Sequence, residues 1–68
     1  MLPPMRDRLY LASRAARLGR LGDRGMTADA AERAIAAWEA EAASRGLSRD
    51  DPTYWDAGEA WIVERRWR

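Results

Sequence analysis

The sequence predicts an all-α protein, a small three-helix domain in a chain of 68 residues. Apolar residues recur at intervals of three and four in three segments, which is the spacing of one face of a helix. Residues that start and stop helices separate these segments, and no segment has the strict alternation of a β-strand. We therefore expect a helical hairpin over residues 27–66, preceded by an arginine-rich helix that either docks on the hairpin or forms an arm.

The first helix is predicted over residues 5–18, directly after Pro3-Pro4, because proline is tolerated where a helix starts but not inside it. It carries two weak apolar stripes. One stripe consists of Met5, Leu9, Ala12 and Ala16, and the other of Leu11, Ala15 and Leu18. Three glycines between Gly19 and Gly25 disfavour continuation of the helix, so this stretch is the predicted mobile linker.

The second helix has the clearest signals at both ends. Thr27 or Asp29 can cap its start, and Asp29 forms a capping-box pattern with Glu32. Gly46 provides the left-handed residue that ends a helix, with Leu47 placed to fold back on the last turn. The predicted core stripe consists of Ala31, Ala34, Ile35, Trp38 and Ala42.

The third helix is predicted to start with Asp51 as its N-cap and Pro52 as its first residue, and to run to about Arg66. One of its faces is strongly aromatic. That face carries Tyr54, Trp55, Gly58, Trp61 and Ile62. Glycine costs a helix about 1 kcal/mol relative to alanine, so we expect Gly58 to be needed where the alanine-rich second helix approaches closely.

Charge divides the chain into a basic N-terminal part, residues 1–25, and a hairpin part, residues 26–68. The twelve basic residues are all arginine and the net charge is only +1. Residues 1–26 carry a net +4, residues 27–64 a net −6 and residues 65–68 a net +3. This distribution suggests pairing of the basic segments with the acidic body, with another copy or with an acidic partner. The absence of lysine and the abundance of alanine are typical of a GC-rich bacterial coding sequence.

Composition argues against several classes of function. The chain contains neither cysteine nor histidine, so it lacks the usual ligands for zinc, copper and haem and most of the usual catalytic nucleophiles and bases. We predict no catalytic residue, no cofactor and no metal site. The acidic residues near the third helix are better explained as helix caps and partners of the helix dipole. No apolar run is long enough to span a membrane, and the absence of cysteine makes the cytoplasm the expected location.

A protein-binding role is the function that we predict. Residues 27–68 supply only nine large apolar side chains, too few for a short hairpin to be stable alone. Either the first helix completes the core or another chain does, through self-association or as a subunit, inhibitor or antitoxin-like partner. The predicted contact residues are Trp38, Tyr54, Trp55, Gly58, Trp61, Ile62, Arg65 and Trp67. The competing interpretation is that the aromatic face is simply core.

Nucleic-acid binding is the alternative function, because arginines neutralise phosphates and the closing Arg-Arg-Trp-Arg run mixes guanidinium groups with an aromatic ring. The candidate contacts, to nucleic acid or to an acidic partner, are Arg6, Arg14, Arg17, Arg20, Arg24, Arg66 and Arg68. The acidic body opposes this interpretation. Binding of the first helix to a membrane surface is a weaker alternative, because its stripes are rich in alanine and contain no tryptophan or phenylalanine anchor.

Overall fold

The computed structural model describes residues 4–66, which form three α-helices packed around one core. Helix α1 spans Met5–Asp23, α2 spans Ala28–Arg45 and α3 spans Tyr54–Glu64. Each helix contacts both of the others. The predicted all-α, three-helix fold is therefore confirmed, and of the two arrangements considered for the first helix, the structure has the docked one.

Helix α2 matches its predicted pattern. The side chains of the predicted core stripe, from Ala31 to Ala42, are all buried. Of the two candidate caps, Thr27 is the one used, since its hydroxyl accepts a hydrogen bond from the Ala30 amide at 3.1 Å. At the other end Gly46 has a φ of 72°, and the Leu47 amide donates to the Ala42 carbonyl oxygen at 2.9 Å. This is the predicted helix stop.

The predicted linker is wrong for most of its length, because α1 continues through Gly19 and Gly22 as far as Asp23. Tertiary contacts outweigh the low helix propensity of the two glycines. Leu21 lies between them in sequence and is completely buried in the core. Only a short turn, which contains Gly25 with a φ of 97°, separates α1 from α2.

The predicted phase of α1 is also wrong. Tyr10 and Leu21 face the core, whereas Met5, Leu9 and Leu11 are 61%, 61% and 56% exposed. The inward face of α1 therefore combines apolar and charged side chains. An aromatic ring and a leucine lie near its ends, and arginines lie between them. Acidic side chains on α2 and α3 make this orientation possible.

Helix α3 is shorter than predicted, since it begins at Tyr54 and ends at Glu64. Asp51 caps a turn that precedes the helix instead of the helix itself. Its carboxylate accepts hydrogen bonds from the Thr53 amide at 2.8 Å and from the Thr53 hydroxyl at 2.7 Å. These bonds lower the pKa of Asp51 below its usual value and hold Pro52 in the turn.

Candidate interaction surface

The predicted aromatic face is mainly a core face. The side chains of Trp38, Tyr54 and Ile62 are almost completely buried, and Gly58 is covered by Trp38. Centroids of the Trp38 and Tyr54 rings are 5.6 Å apart. These four residues therefore lie in the core, as the competing interpretation expects.

Two tryptophans of the predicted contact set remain partly exposed, at the two edges of α3. Trp55 packs against Tyr10 of α1 with ring centroids 5.3 Å apart, and Trp61 packs against Trp38 of α2 at 5.8 Å. The guanidinium group of Arg65 lies 4.1 Å from the Trp61 ring centroid. Trp67 lies outside the described residues.

The carboxylate of Glu59 binds α1 to α3, and its side chain is only 6% exposed. Arg20 Nε donates to it at 2.8 Å and Arg24 Nη2 at 2.6 Å, and Arg17 donates as well. Arg17 also contacts the exposed Asp56 carboxylate at 3.1 Å. The hydrogen bond from Arg20, followed by those from Arg24 and Arg17, outweighs the effect of burial and lowers the pKa of Glu59 to about 2. We call these residues the Glu59 cluster.

A second cluster, around Glu39, binds α1 to α2. The Nε and Nη2 atoms of Arg14 each donate to Glu39 at 3.2 Å, and Arg14 Nη1 donates to Glu32 at 3.0 Å. The Tyr10 hydroxyl also donates to Glu39, and its oxygen is 3.3 Å from the Tyr54 hydroxyl oxygen. Burial alone would raise the pKa of Glu39, but the hydrogen bonds from Arg14 and Tyr10 lower it below its usual value.

The same contacts raise the pKa values of two groups in α1. Burial and the neighbouring Glu39 carboxylate raise the pKa of the Tyr10 hydroxyl far above its usual value. The hydrogen bond to Glu39 raises the pKa of the Arg14 guanidinium. Both groups are therefore protonated hydrogen-bond donors at neutral pH.

The two clusters occupy most of the arginines predicted as nucleic-acid contacts. Arg14, Arg17, Arg20 and Arg24 all donate to carboxylates of the same chain. Arg6 and Arg66 are exposed, Arg6 with a loose contact of 3.6 Å to Asp50, and Arg68 lies outside the described residues. Sequence reasoning missed Glu39 and Glu59 as their partners. A usable signal existed in the helical spacing of Tyr10, Arg14, Arg17, Leu21 and Arg24.

The inward orientation of the arginines leaves a weakly apolar surface on the opposite side of α1, which we call the α1 outer face. It consists of the exposed residues Met5, Arg8, Leu9, Ala12, Ala15, Ala16, Gly19 and Asp23. Where Leu9 approaches α3, it lines an open groove of about 270 Å³ together with Pro52 and Trp55. Arg6 and Asp50 line the same groove and give it a polar rim.

Within residues 4–66, no group of three acidic side chains is placed to hold a metal ion. No helix in this range combines the length and apolar character needed to cross a bilayer.

The fold and its surface define a small three-helix protein in which ion pairs between polar side chains hold the helices together. No protein-family model matches this chain, and comparison with curated proteins and with solved structures finds no similar one.

Proposed function

We propose that this chain is a small, non-enzymatic protein-binding module that acts by stoichiometric binding. Its contact surface is the α1 outer face together with the adjoining groove of Leu9, Pro52 and Trp55. An accessory subunit, an inhibitor and an antitoxin-like partner all belong to this class. Of the predicted contact set the proposal keeps only Trp55, and it adds the exposed residues of α1.

The orientation of α1 carries the proposal. Arg14, Arg17 and Arg20 donate to carboxylates of α2 and α3, while Met5 and Leu9 on the α1 outer face are each 61% exposed. Isolated exposed leucines are common on proteins, but Leu9 lies beside the half-buried Trp55 in one groove and shares the α1 outer face with the exposed Met5. Contiguous apolar surface of this kind, with a polar rim, is typical of a site that meets another protein.

The internal pairing of arginines favours protein binding over nucleic-acid binding. A guanidinium group that already donates to a carboxylate has fewer donors left for a phosphate, and that carboxylate repels the phosphate. This applies to Arg14 and to the three arginines of the Glu59 cluster. The α1 outer face itself carries one arginine and one aspartate, so it has no net charge.

Site-specific photo-crosslinking in the native cell tests the proposal. A benzophenone side chain at Ser13, which lines the groove, is expected to crosslink to protein, whereas one at the exposed Ala36 of α2 serves as the control. Leu9→Asp is expected to abolish the Ser13 crosslink, and Ala36→Asp to leave it unchanged. Crosslinks to nucleic acid in place of protein, or equal crosslinking from both positions, would contradict the proposed function.

A further inference from the structure

We propose that the partner of the α1 outer face is a second copy of this chain, bound antiparallel so that the two α1 helices pack against each other. This inference rests on the proposed function and names its partner. It starts from the exposed apolar side chains of Met5 and Leu9, each 61% exposed. The charges of the same face identify the occupant.

Arg8 and Asp23 lie near opposite ends of the α1 outer face and are both exposed. Within residues 4–66, neither forms an ion pair. In an antiparallel pair centred between Ala15 and Ala16, the rise of the helix places Arg8 of each copy level with Asp23 of the other. The two-fold symmetry makes this contact twice. A parallel pair would instead place like charges next to each other, so the face is complementary to itself only in the antiparallel orientation.

The small residues of α1 fit the same arrangement. Among residues 4–66, a Cβ atom added at Gly19 or Gly22 would meet no atom within 4 Å apart from its own stretch of helix, and both glycines lie inside the helix. Glycine destabilises a helix relative to alanine, and packing within residues 4–66 gives no reason for either one. In the antiparallel register Ala12 is level with Gly19 of the other copy, and Leu9 with Gly22. The missing side chains would let the two helices approach closely while the leucines lose contact with water.

A charge-exchange experiment on the full chain tests the arrangement by sedimentation velocity over a wide dilution range. The wild-type chain is expected to dimerise, and Arg8→Glu and Asp23→Arg are each expected to weaken the dimer at least about fivefold, since each replaces two attractive contacts with two repulsive ones. An equimolar mixture of the two variants should restore the affinity, because their ends are again complementary. Arg33→Glu, the same charge change on an exposed part of α2, is the control and should have no effect.

Single cysteines test the register independently, because the chain contains no cysteine of its own. Ala16 lies next to the proposed two-fold axis, so Ala16→Cys should form a disulfide with the second copy under mild oxidation. Ala60→Cys, at an exposed position on α3, should not. A disulfide from Ala60→Cys but not from Ala16→Cys would overturn the proposed face.

The outcomes separate this inference from the proposed function. A wild-type chain that sediments as a folded monomer at all concentrations overturns the antiparallel pair. If the Ser13 photo-crosslinker then captures a different protein, the proposed function stands without it. A dimer that both charge variants leave unchanged, in the single form and in the mixture, also overturns it. Restored dimer affinity in the mixture, together with the Ala16→Cys disulfide, supports the antiparallel pair.

Discussion

The indole ring of Trp38 lies directly on the backbone of Gly58, so that α2 and α3 meet at a position where no side chain fits. A Cβ atom at residue 58 would be 2.6 Å from Trp38 Cδ1 and 2.8 Å from Trp38 Cε2. Trp38 is completely buried and belongs to the core cluster, so its ring is packed among other core side chains. Gly58 is therefore required by a tryptophan ring, and not by the close approach of small residues that the alanine-rich sequence of α2 suggests.

Gly58→Ala is expected to lower the free energy of unfolding despite the better helix propensity of alanine. Overpacking a core costs about 1 to 3 kcal/mol, which exceeds the gain of up to about 1 kcal/mol from propensity. Urea unfolding followed by tryptophan fluorescence measures the difference. Gly22→Ala, compared at a dilution at which the chain is monomeric, is the matched control and should be neutral or stabilising, since a Cβ at residue 22 meets no atom of the other described residues within 4 Å. Equal effects of the two substitutions would contradict the role of Trp38.

Glu59→Gln is expected to destabilise the protein by about 3 kcal/mol, because it removes the charge that three arginines share and leaves them to repel one another. Asp56→Asn is the control. The Asp56 side chain is 83% exposed, and Arg17 is its ion-pair partner among the described residues, so its loss should cost less than about 1 kcal/mol. Chemical unfolding of both variants provides the comparison. A cost for Asp56→Asn as large as that for Glu59→Gln would show that the buried carboxylate has no special role.

The protein is expected to lose stability as the pH falls from about 4.5 towards 2. The pKa of Glu59 is lowered from 4.5 to about 2 on folding, so its contribution is fully present above pH 4.5 and is lost as the pH falls through the folded value. The shift corresponds to at most about 3 kcal/mol. Unfolding free energies measured between pH 7 and pH 2 test this. Glu59→Gln should show a shallower decline, and an unchanged slope would assign the acid sensitivity to other carboxylates.

Removal of residues 1–25 is expected to abolish cooperative folding of the remainder. The deletion takes Tyr10 and Leu21 out of the core, removes the three arginine partners of Glu59 and exposes apolar side chains of α2 and α3 to water. Circular dichroism and urea unfolding of residues 26–68 measure the loss. Addition of a peptide of residues 1–25 in excess should restore the structure, and an unrelated arginine-rich peptide should not. Retention of a cooperative transition by residues 26–68 alone would instead support the arm interpretation.

The sequence by itself determined the helices of the hairpin and most of their packing. The stripe from Ala31 to Trp38 predicts which side of α2 is buried, because apolar residues at helical spacing have one arrangement that removes them from water. Local signals also predict the end of α2 at Gly46, since a left-handed residue is needed there and glycine adopts it without strain. The aromatic side of α3 follows from the same spacing rule.

Only the tertiary structure decided the length and orientation of α1. Its weak stripes of Met5 and Leu9 suggest one buried side, but the other side is buried, since Glu39 and Glu59 bind its arginines from helices far away in the sequence. The predicted linker is helical for the same reason: contacts of Leu21 with the core outweigh the low propensity of its flanking glycines. Spacing within a helix records which residues share a face, and long-range charge pairing decides which face turns inward.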